Sequence, residues 1–133
     1  MKRIVAGALG ALLAANALAM LFASLRWYYA VPGVTATGPF NPHFVRDIGA
    51  TYLVVAGGLG WFAWRPGQGW AALVAGAAFL ILHALVHVHD AALSPVCGHD
   101  LLRDLPGVFV PALIAAWIAM TSKADPNLVS RRA

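Results

Sequence analysis

From Ile4 to Leu25 the chain runs 22 residues without a charged side chain, enough helix to cross a hydrocarbon layer about 30 Å thick. A water-soluble fold rarely holds such a stretch, because it would have to bury it on every side. The rest of the chain repeats the pattern. Three further apolar segments, about 42–64, 70–89 and 106–121, are separated by short polar stretches. Of 133 residues, 61% are hydrophobic and 11% charged, where soluble domains carry roughly a quarter charged residues. The expected fold is all-α: one integral membrane domain spanning 1–133, built as a transmembrane antiparallel four-helix bundle with outer loops 26–41 and 90–105. Lys2 and Arg3 before an apolar run, with Ala17-Leu18-Ala19 inside it, also fit a cleavable signal peptide. The run continues past that site to Leu25, so a retained first helix is expected.

Local signals mark the boundaries. Asn41 followed by Pro42 reads as an N-cap and first helical residue. Arg65-Pro66-Gly67-Gln68-Gly69 reads as a tight turn that makes the second and third helices antiparallel neighbours. Pro111 is expected to kink or delay the fourth helix. Trp27, Tyr28 and Tyr29 suit the headgroup level.

Charge sets the orientation. With both termini inside, the inner segments hold Lys2, Arg3, Arg65, Lys123, Arg131 and Arg132. The outer ones hold Arg26, Arg46 and Arg103, diluted by Asp47, Asp90, Asp100 and Asp104. This asymmetry predicts N-in/C-in topology in a bacterial inner membrane. Basic residues placed singly or in pairs at segment ends offer no face for nucleic acid. The expected partners are the bilayer and either another membrane protein or further copies of the chain.

Small residues at four-residue spacing mark helix contacts in lipid. They fall at Ala6, Gly10 and Ala14, at Ala56 and Gly60, and at Ala72 and Gly76. On the third helix Gly76, Leu80, His83, His87 and Asp90 follow steps of four, three, four and three, which is one stripe. His83 would sit roughly 8–10 Å below the outer helix end, and an ionisable group at that depth marks a site by default. His43 and Asp47 repeat the i, i+4 pattern on the second helix, and the outer loop adds Cys97, His99 and Asp100. A hydrogen-bonded His–Asp pair that merely glues helices is the plain alternative, and Asp100 and Arg103 read as solvated loop residues.

The candidate ligand set is therefore His83, His87, Asp90, His43, Asp47 and His99. Imidazole with carboxylate suits zinc, copper or iron, and haem b between His83 and His43 is a minor option. The chain has no Glu, which argues against di-iron sites built from Glu and Glu-x-x-His. Its single cysteine, Cys97, allows no intrachain disulfide. No phosphate-binding loop, dinucleotide fingerprint or serine-nucleophile motif is present. The functional expectation is a membrane protein with a metal-binding His/Asp cluster at its periplasmic face, redox or hydrolytic if it is an enzyme. The alternatives are an accessory subunit of a membrane redox complex and a metal-free proton or quinone relay.

The stretch Gly38-Pro39-Phe40-Asn41-Pro42-His43-Phe44-Val45-Arg46-Asp47-Ile48-Gly49-Ala50-Thr51-Tyr52-Leu53 resembles small bacterial four-helix membrane proteins of unassigned function. The layout, with a first helix, an outer loop and an Arg-containing entry into a glycine-rich second helix, resembles the DoxX-like superfamily. That resemblance implies the four-helix plan and an association with quinone and thiol redox systems, usually as a subunit of a larger assembly. The segment His83 to Asp90 belongs to no DoxX pattern.

Overall fold

The computed structural model describes residues 1–93 and 101–123. Every regular element among them is helical, in the order α1 (Lys2–Phe22), α2 (Ser24–Ala30), a short 3₁₀ turn (Val34–Thr37), α3 (Pro42–Trp64), α4 (Pro66–Leu93), α5 (Leu101–Asp104), a π turn (Leu105–Phe109) and α6 (Val110–Thr121). Among the described residues, three stretches are long and apolar enough to cross a membrane: Lys2–Phe22, Pro66–Leu93 and Leu101–Thr121. At 23 residues α3 has the length, but Asp47, Tyr52 and its several glycines dilute its hydropathy.

Several boundaries differ from the sequence-based expectation. The first helix breaks at Ala23 (φ −134°, ψ 39°) and resumes as α2. Trp27 on α2 folds back so that its Nε1–H donates to Asn16 Oδ1 at 2.8 Å, giving a polar side chain within the apolar run its partner. Tyr28 is buried and donates to the Gly38 carbonyl at 2.6 Å, while Tyr29 stays exposed. The 65–69 turn shrinks to its first residue. Arg65 caps α3, its N–H bonded to the Trp61 carbonyl, and α4 starts at once with Pro66, whose missing N–H costs nothing in a first turn. Helix also extends before the expected start of the last segment. Pro106 sits inside the π turn, a wider turn that absorbs a residue unable to donate. Pro111 follows directly on the π turn, at the second residue of α6.

Asn41 caps α3 as expected, its Oδ1 accepting from the N–H groups of His43 and Phe44, both at 3.1 Å. Packing runs α1 on α3, α3 on α4 and α4 on α6, around the fully buried Leu59, Leu73 and Ile118. Ala6 and Gly10 lie in the α1 contact and Gly76 in that of α4. A Cβ added at Gly10 would come within 3.2 Å of the Ala56 carbonyl, so the two backbones approach as closely as small residues allow. Gly57 and Gly60, by contrast, open onto empty space.

Basic side chains close one end. The Lys2 ammonium donates to the Thr121 carbonyl. Arg3 donates from Nε to Ala63 (2.8 Å) and from Nη2 to Trp64 (3.1 Å). Both cations thus satisfy carbonyls at the C-termini of α6 and α3, where the helix dipoles are negative. Trp70 adds a bond from Nε1 to the Ala119 carbonyl at 3.2 Å. The start of α1, the turn between α3 and α4, and the end of α6 therefore share one end of the molecule. The other end gathers α2, the start of α3, the end of α4 and α5.

Candidate functional site: two imidazoles backed by an aspartate

The site sits at that second end and is built upward along α4. Gly76 and Leu80 are buried, and the same stripe continues outward through the half-buried His83, His87 and Asp90. The face assigned by small residues is therefore the face that carries the imidazoles.

His83 is enclosed by rings. Phe79, one turn below, stacks on it with centroids 6.0 Å apart and planes at 13°. Tyr52 of α3 meets it edge-on at 5.8 Å and 84°. One turn above, His87 is edge-on at 4.9 Å and 71°. Tyr52 and Phe79 also pack at right angles, 5.7 Å apart, which holds the cage together by edge-to-face attraction. His83 thus faces α3, as expected, but meets Tyr52 there. His43 and Asp47 make their contact with each other.

His87 carries the strongest polar contact of the site. Its Nδ1 lies 2.7 Å from Asp104 Oδ2, and the two side chains are only 19% and 10% exposed. Where the carboxylate is ionised it only accepts, and Nδ1–H is then the donor. The other oxygen, Oδ1, is 3.8 Å from Arg103 Nε. Asp104 reaches His87 because α5 and the π turn pack against α4.

The remaining candidates are dispersed. His43 Nε2 and Asp47 Oδ2 are 3.3 Å apart within one helix turn, at 87% and 61% exposure. Asp90 Oδ1 lies 3.2 Å from Nδ1 of its neighbour His89. His99, with Cys97 and Asp100, lies outside the described residues. Among the described residues no group of three or more His, Cys, Asp or Glu side chains is placed to hold one metal ion. Arg103, expected in a solvated loop, is instead helical and half-buried.

Sequence spacing missed Asp104 and Tyr52. Asp104 lies 17 residues from His87, beyond any helical repeat. One clue was available: it is the acidic residue closest to the start of the last apolar segment, at the same end as the third helix's imidazoles. No local pattern singles out Tyr52.

An open apolar groove of about 420 Å³ runs between α3 and α4, lined by Thr51, Val55, Gly58, Ala72, Gly76 and Phe79 among others. Phe79 belongs to both groove and cage, so the groove ends against the ring that stacks on His83. Comparison with protein-family models, with curated proteins and with solved structures finds no match to this chain.

Proposed function

We propose that the chain is a four-span bacterial inner-membrane protein, N-in/C-in, in which Asp104, His87 and His83 pass protons between the outer surface and a lipid-soluble molecule at the α3–α4 groove. Its bundle consists of α1, α3, α4 and the run from α5 to α6. The basic end formed by Lys2, Arg3 and Arg65 faces the cytoplasm, which sets the His end outside. The observation that carries the reading is the part-buried 2.7 Å bond between His87 and Asp104 with His83 edge-on beyond it. Imidazole can accept a proton at one nitrogen and release one from the other. Two adjacent imidazoles ending on a carboxylate make a graded path from an aqueous face into an apolar interior. Because the groove beside His83 is apolar, a molecule using it must be soluble in the hydrocarbon phase.

The test is histidine ¹⁵N NMR on protein oriented in sealed proteoliposomes, with pH set separately on the two sides. The His83 signals should follow the pH on the His43 side, and Asp104→Asn should uncouple them from it. His83 signals that follow the opposite compartment, or that ignore the Asp104 change, would refute the path.

A second reading has one observation in its favour. Asp104 lies on Nδ1 of His87, and a carboxylate behind a ligating imidazole is the usual support of a metal-binding histidine. His87 and His83 would then be two ligands for zinc, copper or iron, with the remainder supplied from elsewhere. Elemental analysis of the purified protein separates the two readings: bound metal lost in His83→Ala favours the second.

A further inference from the structure

The connection between α2 and α3 is a built structure. The Tyr28 hydroxyl anchors it through the Gly38 carbonyl, and the Tyr28 ring packs on Phe40 at 5.3 Å. Within it, Thr37 Oγ1 donates to the Val34 carbonyl at 2.7 Å, and the Ala36 N–H to the Gly33 carbonyl at 3.0 Å. Gly33 and Gly38, which flank the 3₁₀ turn, have φ of +89° and +138°, a region side chains rarely enter. The two glycines differ in what lies beside them. A Cβ at Gly38 would meet nothing within 4 Å. A Cβ at Gly33 would lie 2.4 Å from Arg103 Nε, 2.5 Å from Cζ and 2.6 Å from Nη2. The Arg103 guanidinium therefore rests on the bare backbone of Gly33, in the space a side chain would fill. Its Nε also lies 3.8 Å from Asp104 Oδ1, while Oδ2 of the same carboxylate is on His87.

We infer that Gly33 and Arg103 form a clamp that holds Asp104 on His87. The ordered outer segment fixes the guanidinium, the guanidinium sits against one carboxylate oxygen, and the other oxygen is thereby held on the imidazole. Arg103 acts through Asp104 and is a positioning residue. A planar, delocalised cation can lie flat on a glycine while facing a carboxylate, which an ammonium cannot do equally well. The clamp deepens the proposed function, because it rests on His83, His87 and Asp104 being the working groups of the site.

The readout is the hydrogen-bond state of His87, followed by ¹⁵N NMR of histidine-labelled protein in bilayer nanodiscs. A general loss of stability would not select it. The wild type should show His87 as a single Nδ1–H tautomer bonded to carboxylate, and Asp104→Asn, the reference, should lose that signature. Gly33→Ala and Arg103→Met should lose it as well, and Arg103→Lys should retain part of it. Gly38→Ala places the same methyl on a positive-φ glycine without touching a guanidinium and should leave the signature intact. Should Gly33→Ala fail to fold, Arg103→Met decides alone. The clamp is overturned if Arg103→Met keeps the wild-type signature, or if Gly38→Ala abolishes it as fully as Gly33→Ala. These outcomes are separable from failure of the proton path. A wild-type His83 that ignores outer pH removes the path and leaves the clamp. Loss of the His87 signature in Asp104→Asn but not in Arg103→Met removes the clamp and leaves the path.

Discussion

The start of α3 and the outer part of α4 each carry histidine–aspartate chemistry at the same end of the molecule, yet the pairs are of opposite kinds. His43 and Asp47 belong to one helix, lie 3.3 Å apart and face outward at 87% and 61% exposure. His87 and Asp104 come from different elements, lie 2.7 Å apart and are 19% and 10% exposed. The local pair is easy to see in a sequence and is worth little, because water or headgroups solvate both partners as well as they solvate each other. The tertiary pair is invisible to spacing. Taking both groups out of solvent makes each dependent on the other, and that dependence is what a site needs to keep its geometry.

The largest effect should come from breaking the buried pair on one side only. His87→Leu leaves the Asp104 carboxylate with reduced satisfaction at low exposure, and Asp104→Leu does the same to the imidazole. Each should cost about 3 kcal/mol, read as a lowered midpoint of thermal unfolding in mild detergent. The double variant, with both groups apolar, should lose less than the sum of the two single losses, since part of each single loss is the penalty on the partner left behind. Additive losses in the double variant would mean that the two side chains are not coupled, and the contrast with His43 and Asp47 would disappear.

A middle-sized effect is expected at His83, which is half-buried like His87 and, among the described residues, has no carboxylate in hydrogen-bond contact. Its neighbours Phe79, Tyr52 and His87 meet it as rings. His83→Phe keeps an aromatic in the cage, so stability should change by no more than about 1 kcal/mol. His83→Ala should lose more, about 2 kcal/mol, through the cavity it leaves. Unfolding midpoints for the two variants decide between ring packing and a hidden polar partner, the latter being indicated if phenylalanine is as damaging as alanine.

Much of the architecture was legible because it depends on near neighbours. Asn41 and Pro42 announce the start of α3 through bonds spanning two and three residues. The stripe Gly76, Leu80, His83, His87 and Asp90 assigns a buried face by helical period alone. The break at Ala23 was not legible, since Phe22, Ala23 and Ser24 carry no breaker. It arises where Trp27 turns back to Asn16, and eleven residues of separation leave no periodic trace. The π turn was half legible: a kink or delay was expected at Pro111, but that the helix starts earlier and widens at Leu105–Phe109 is settled by the packing of α5 and the π turn against α4. Asp104 was missed for the same reason as the break. Gly33 could be read as a turn glycine, but its further role as the floor under Arg103 requires knowing that two segments 70 residues apart in sequence meet.

The smallest effect should be at the exposed pair. With both side chains mostly solvated, the His43–Asp47 interaction gains little Coulomb energy and gives up rotamer freedom to hold its geometry, so it should contribute under about 0.5 kcal/mol. His43→Ala and Asp47→Ala should each leave the unfolding midpoint nearly unchanged, and their double-mutant coupling should vanish in 0.5 M salt, roughly the condition that shortens screening to a few ångströms. Neither substitution should alter how His83 responds to external pH, because neither residue touches the His83–His87–Asp104 chain. Asp47 could matter through its backbone, whose carbonyl accepts from Thr51 Oγ1 at 3.0 Å, but alanine keeps that carbonyl in place. A coupling between His43 and Asp47 as large as that between His87 and Asp104 would mean that exposure fails to separate the two pairs. In that case His43 and Asp47 would return to the working site, and the path would have to be redrawn through α3.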